Sequence, residues 1–365
     1  MSDSLRAVDL LRWPLVGPFL RWRHARTSLQ LVFLVAAAVV VLHGFLGPEI
    51  ASANLATTLV WVHYRGFLVL ALLAAGNLFC AGCPFIRVRD WGRRLHAPTL
   101  SRPSWLRGKW VAVALFAAVL YTYELFDLWS LPFATTCLVL AYFVVAFVVD
   151  LVFTGATFCK HLCPVGQFNF IASTMSPLEL RARDHATCSS CRTSDCIAGR
   201  RSAAPARPIV QRGCELGLYM PAKVGNIDCT FCMDCVQACP HDNIVLAPRV
   251  PGLELADTRR RSAIGRLTRR PDLAALVVLF VFGALTNAFA MVTPVRQVEF
   301  WIADLVGTRS EAVILASLFA TLIVVAPAVL LAGASWCARV LTGDVRTVFA
   351  LAMRYVYALV PFGFG

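Results

Sequence analysis

Six apolar runs, each near or above the ~18 residues that a helix needs to cross a bilayer core, constrain this chain more than any other feature. They lie at about 29–47, 55–79, 109–127, 133–156, 273–292 and 311–333. A seventh starts near Val345 and is still apolar at Gly365, with no charged flank after it. The chain is therefore expected to be truncated or to end inside a helix hairpin. No cleavage site follows the first run, which reads as a first transmembrane helix rather than a signal peptide. The expected fold is an all-α multi-pass membrane protein of about six to seven spans, with a small α+β two-cluster ferredoxin-like domain inserted between the fourth and fifth.

Charge orients the spans. The net charge is +13. Its arginines gather beside the apolar runs: Arg12, Arg21, Arg23 and Arg26 before the first, Arg87 to Arg107 after the second, and Arg259 to Arg270 before the fifth. The opposite loops are short and carry Glu49, Glu124 and Asp127. Excess Lys and Arg marks the cytoplasmic side of a bacterial-type inner membrane. The same flanking pattern accounts for the positive charge as topology and lipid contact, without a nucleic-acid partner.

The expected divisions are a basic cytoplasmic segment at 1–28, a four-helix membrane repeat at 29–158, a ferredoxin-like domain with a basic linker at 159–272, and C-terminal membrane helices at 273–365. The repeat is visible in the letters. Gly76-Asn-Leu-Phe-Cys80 leads to Cys83-Pro84, and Gly155-Ala-Thr-Phe-Cys159 leads to Cys163-Pro164. Both units close a hairpin on the same side, which suggests a pseudo-twofold axis along the membrane normal.

Fourteen cysteines are too many for packing alone. The run Cys229-x2-Cys232-x2-Cys235-x3-Cys239-Pro240 has the spacing by which three thiolates of a tight loop bind one [4Fe–4S] cluster, while the fourth serves a second cluster. Its companion is Cys188-x2-Cys191-x4-Cys196, followed by Cys214. Crossed ligation assigns Cys188, Cys191, Cys196 and Cys239 to cluster one, and Cys214, Cys229, Cys232 and Cys235 to cluster two. A cytoplasmic setting argues against disulfides.

The membrane-edge cysteines Cys80, Cys83, Cys159 and Cys163 leave several readings open. They could converge on a third Fe–S cluster or on copper, both of which thiolates select. They could form a redox dithiol, or simply be buried thiols at Cys-Pro turns. Cys137 and Cys337 read as packed small apolar residues. Asp150 reads as a helix-edge residue.

Ionisable residues inside spans often mark function. His43, His63 and Arg65 are candidates for a quinone site; bis-histidine haem ligation and plain structural satisfaction are the alternatives. Arg65 is expected to pair with Glu124 or Asp127. No haem-attachment C-x2-C-H occurs, and no G-x-G-x-x-G opens a helix after a strand.

Over about 55–247 the paired Cys-Pro motifs and both ferredoxin-like cysteine sets resemble the NapH/NosR/CcoG group of membrane polyferredoxins. The resemblance implies one-electron relay between quinol and a reductase or other redox protein, as an electron-transfer subunit of an oxidoreductase. For the CcoG type it implies copper reduction during oxidase assembly. A third reading is an Fe–S scaffold subunit within a larger complex. The large periplasmic flavin domain of NosR-like proteins has no counterpart in this sequence, and the immunoglobulin-like domain of CcoG-like proteins has none either.

Overall fold

The computed structural model describes residues 8–201, 209–252, 269–343 and 352–364. The start of the expected seventh span and most of the basic linker, including Arg259, Arg260, Arg261 and Arg266, lie outside the described residues.

Five helices are long and apolar enough to cross a membrane. They are α1 (Ala25–Leu46), α2 (Leu55–Ala75), α5 (Pro132–Val152), α8 (Pro271–Ala290) and α10 (Glu311–Thr342). The run expected at 109–127 forms α4 (Trp110–Leu125), a shorter apolar helix of 16 residues. At 1.5 Å per residue it covers about 24 Å, less than a ~30 Å bilayer core. Its start is pinned, because the Lys109 amide donates to Asp272 at 2.8 Å. Past its end, Asp127 adopts a left-handed backbone at φ 44°.

Two helices begin at the Cys-Pro motifs: α3 (Pro84–Leu95) and α6 (Pro164–Ala172). Proline fits the first turn because its missing N–H has no intrahelical partner there. Cys83 and Cys163 become the N-caps, with similar backbone angles of φ −58°, ψ 122° and φ −61°, ψ 111°. Upstream, Gly76 and Gly155 both turn at φ 79°. The repeat read in the sequence is thus a repeat of backbone geometry. A further helix outside the expected spans is α9 (Pro294–Val306), between the last two of them. Its polar and apolar residues alternate at helical spacing, so it has no long apolar run.

Helix α8 is the centre of the bundle. Leu276, Val277, Phe280 and Val281 pack with Leu68 and Leu72 of α2, Ile171 of α6, and Val356, Tyr357 and Val360 of a tight helical stretch at Val356–Phe364. The intervening cysteine-rich segment is held by short antiparallel pairs. β1 (Leu178–Ala182) pairs with β4 (Ile244–Pro248), with Leu180 opposite Leu246. β2 (Arg200–Arg201) pairs with β3 (Ile209–Gln211). Between them, α7 (Asp234–Ala238) carries Cys235. Leu180, Met220, Phe231, Val236 and Ile244 make this segment's own core, and Leu11 and Leu20 of the N-terminal segment join it.

Candidate redox centres and a membrane cavity

Twelve of the cysteines fall into three neighbourhoods of four. Cys188, Cys191, Cys196 and Cys239 line one small cavity together with Asn243 and His241. Asn243 spans two of them: its side-chain amide donates to Cys188 Sγ at 3.2 Å and its backbone N–H to Cys239 Sγ at 3.4 Å. Cys239 therefore stands with the companion motif and not with its own run. The Cys191 thiol is pulled down to about 7, first by the backbone N–H of Ser194 and then by Thr193.

In the second neighbourhood Cys229 and Cys235 are buried and Cys214 and Cys232 half-buried. Burial pushes the Cys229, Cys232 and Cys235 thiols up, and in each case the charge of Cys214 adds to the rise. The loop that carries them is unusual. Asp228, Phe231 and Met233 all have positive φ, at 59°, 53° and 62°. Non-glycine residues seldom adopt that region. Turns that change backbone hand in this way gather N–H groups into concavities suited to anions and Fe–S centres.

The third neighbourhood sits at the membrane edge. Cys80, Cys83, Cys159 and Cys163 all line one large cavity. Gly166 N–H donates to Cys163 Sγ at 3.2 Å, and Asn169 Nδ2 donates to Cys80 Sγ at 3.2 Å. Burial raises all four thiols, Cys80 to about 12, and for Cys80, Cys159 and Cys163 the neighbouring Cys83 charge adds to the rise. Free thiols in this setting stay protonated at neutral pH. As thiolates they require a cation or cluster to balance their charge. Among the described residues no three His, Cys, Asp or Glu side chains close around a point fit for a single metal ion. Cys137 and Cys337 are exposed on the bundle surface, which corrects their reading as packed small apolar residues.

A knot of charges lies between the membrane-edge thiols and the second set. Arg89 is 1% exposed. It donates to Asp90 at 2.8 Å and to both oxygens of Glu215 at 3.0 Å. Arg26 reaches Asp234 at 2.5 Å and Glu215 at 3.2 Å, and Arg212 reaches Asp90 at 2.7 Å. Burial works against the Glu215 carboxylate, but Arg26, Arg89 and Arg212 together hold it well below the usual range. Asp150 is not a simple helix-edge residue. It is 2% exposed, accepts the Phe158 amide at 2.8 Å and lies 3.8 Å from Arg89. Sequence reading treated Arg26 and Arg89 as topology signals. Glu215, directly after Cys214, was the available clue to a buried ionic role.

The cavity at the membrane-edge thiols has a volume of about 2480 Å³ and extends to His63, Arg65, Glu124, Asp127 and Asn287. His63 ends a π-helical stretch of α2, Thr58–His63, a distortion frequent at functional sites. His43 does not line the cavity. Its Nδ1 accepts the Leu55 amide at 3.3 Å, so it holds the turn between α1 and α2. Arg65 does not pair directly with either acid: it donates to Asn287 Oδ1 at 3.2 Å, and the Asn287 amide donates to Glu124.

Two curated proteins of Escherichia coli (strain K12) are similar to this chain. Ferredoxin-type protein NapH is 28% identical over 215 residues, 55% of this chain and 72% of NapH. YccM, provisionally named for electron transport, is 30% identical over 88 residues, 24% of this chain and 20% of YccM. No family profile matches the chain, and no solved structure matches it.

Proposed function

We propose, from this likeness to NapH-type polyferredoxins, that the chain is a membrane-bound iron–sulfur protein relaying single electrons between the quinone pool and a protein redox partner. It would sit in a bacterial-type inner membrane with its ferredoxin-like segment toward the cytoplasm. One observation carries the reading: three four-thiol neighbourhoods follow one another from a membrane cavity outward. Cys80 and Cys229 are linked through adjoining residues, because Asn77 donates to the Cys229 carbonyl at 3.0 Å. The second and first sets adjoin at α7, which carries Cys235 and has Cys239 as its C-cap.

Bound clusters would supply one-electron chemistry, and the protein fixes their distance and surroundings. Cys188, Cys191, Cys196 and Cys239 would hold one [4Fe–4S] cluster, and Cys214, Cys229, Cys232 and Cys235 another. Cys80, Cys83, Cys159 and Cys163 would hold a third. The donors on their sulfurs, Asn169, Asn243 and the Gly166 amide, stabilise negative charge there. Arg26 and Arg89 do the same at longer range, and both effects raise a cluster's potential. His63 and Arg65 would face a quinone headgroup in the cavity.

The second reading, a metal reductase or oxidase-assembly factor with copper at the membrane-edge thiols, draws on the softness of that all-sulfur set. Iron and acid-labile sulfide on anaerobically purified protein separate the two. The relay expects about twelve irons per chain, falling to about eight in Cys80→Ser/Cys159→Ser. About eight irons in both proteins, with one Cu(I) bound only by the wild type, would move the assignment to copper. Near-zero iron would defeat both.

A further inference from the structure

The polar end of the cavity contains a group that electron relay alone does not need. Glu124 lies on α4, 14 positions after Trp110, so about 21 Å along the axis from the end anchored beside Lys109. Asn287 lies 16 positions after Pro271 on α8, about 24 Å from that helix's start. Lys109 reaches Asp228 at 2.7 Å on the cysteine side. Glu124 and Asn287 are therefore at the opposite side of the bundle. Arg65 is ten positions before Ala75, about 15 Å from the turn that leads to Cys80. Cys80 and Glu124 nevertheless line the same cavity.

We propose that Glu124 is the proton acceptor for quinol bound in this cavity, and that protons leave on the side away from the cysteines. The proposal rests on the relay reading and deepens it. Asn287 donates to Glu124 and accepts from Arg65, which fixes the carboxylate without neutralising it by a direct ion pair. Asp127 is exposed and lines the same cavity, which gives the proton a route to outside water. Tyr123 and Asp127 flank Glu124 on its own segment, Arg65 faces it from α2, and Arg296, Glu299 and Glu311 line the cavity from α9 and α10.

Oxidation of the hydroquinone breaks two O–H bonds and yields the quinone, two electrons and two protons. The electrons would leave singly toward Cys80, Cys83, Cys159 and Cys163, which would hold the one-electron acceptor, an oxidised iron–sulfur cluster. Each proton forms an O–H bond on the Glu124 carboxylate and is released through Asp127 before the next arrives. Electrons and protons thus leave by opposite ends of one cavity, and turnover moves charge across the membrane.

The test uses the full-length, cluster-loaded protein in liposomes of known orientation enclosing a pH dye, with a soluble quinol as donor. Quinone binding is read separately from quenching of Trp61 and Trp129, which also line the cavity. Glu124→Gln is expected to bind quinone within about twofold of wild type and to keep its dithionite-reducible clusters. It should slow quinol-driven cluster reduction about a hundredfold, a typical loss when a proton acceptor is removed, and abolish the far-side pH step. Glu124→Asp is expected to restore most of that step. Wild-type proton release in Glu124→Gln, or release on the cysteine side in wild type, overturns this inference and leaves the relay intact. A wild type that neither binds quinone nor is reduced by quinol overturns the relay itself.

Discussion

Asn77 donates its side-chain amide to the Cys229 carbonyl at 3.0 Å, and so a residue of the first membrane repeat holds the loop of the cysteine-rich segment in place. The neighbouring glycine completes the seat. A Cβ on Gly76 would lie 2.7 Å from the Phe231 ring, and its φ of 79° is one that other residues resist. Gly155, its counterpart in the second repeat, faces open space. Asn77→Ala leaves a buried carbonyl without its donor and is expected to cost about 1–3 kcal/mol. Gly76→Ala is expected to cost more, through strain and displacement of Phe231. Thermal unfolding in detergent checks both, and electron paramagnetic resonance should show weaker magnetic coupling between clusters with iron content retained.

Removing Arg89 is expected to be among the most damaging single changes. It would leave Asp90, Glu215 and Asp150 without their shared cation in a buried site. Loss of one partner from a buried ionic group costs about 3–5 kcal/mol. Arg89→Lys should not rescue, because a point charge cannot bridge the two carboxylates as the guanidinium fork does. Thermal inactivation of Arg89→Ala within about 1 kcal/mol of wild type would contradict this account.

Asp184 caps the helix His185–Ser190, accepting the Ala186 and Thr187 amides at 3.0 and 2.8 Å. The Thr187 hydroxyl, then its amide and that of Ala186, hold the carboxyl below its usual value. A depressed carboxyl contributes stability that is fully present above its unfolded pKa, about 3.9, and is lost as pH falls through the lower folded value. Protection of the Ala186 and Thr187 amides, corrected for intrinsic exchange, should therefore be constant above about pH 5 and fall in stronger acid. Asp184→Asn should abolish that pH dependence while retaining a cap.

Cys137 and Cys337 face outward from α5 and α10. Serine at both positions should leave iron content unchanged. In the wild type they should be the first thiols labelled by a lipid-soluble maleimide.

The spans and the cysteine spacing were legible because they are local. An apolar run declares itself within twenty letters, and Cys-x2-Cys-x2-Cys is the geometry of a single loop. Helix ends were less so: α2 stops at Ala75 rather than near Phe79, because the Gly76 turn breaks it while the sequence stays apolar. What could not be read was pairing across distance. Arg65 was expected to meet an acid, but Asn287 on a helix more than two hundred residues later intervenes. His43 had the same chemical promise as His63 and serves a turn instead. The role of Arg89 was hidden because a basic loop beside a membrane already has a sufficient explanation.

The contact between Arg26 and Asp234 spans 208 positions of chain. At the ~5–20 residues per second of synthesis, the arginine emerges about 10–40 s before its carboxylate exists. Through that interval α1 can enter the bilayer only with a cation at its edge still facing water. The bundle, whose central helix α8 follows the cysteine loop in the chain, thus closes only after that loop has been made, and until Glu215 and Asp234 have both emerged the first helix carries an unmatched charge.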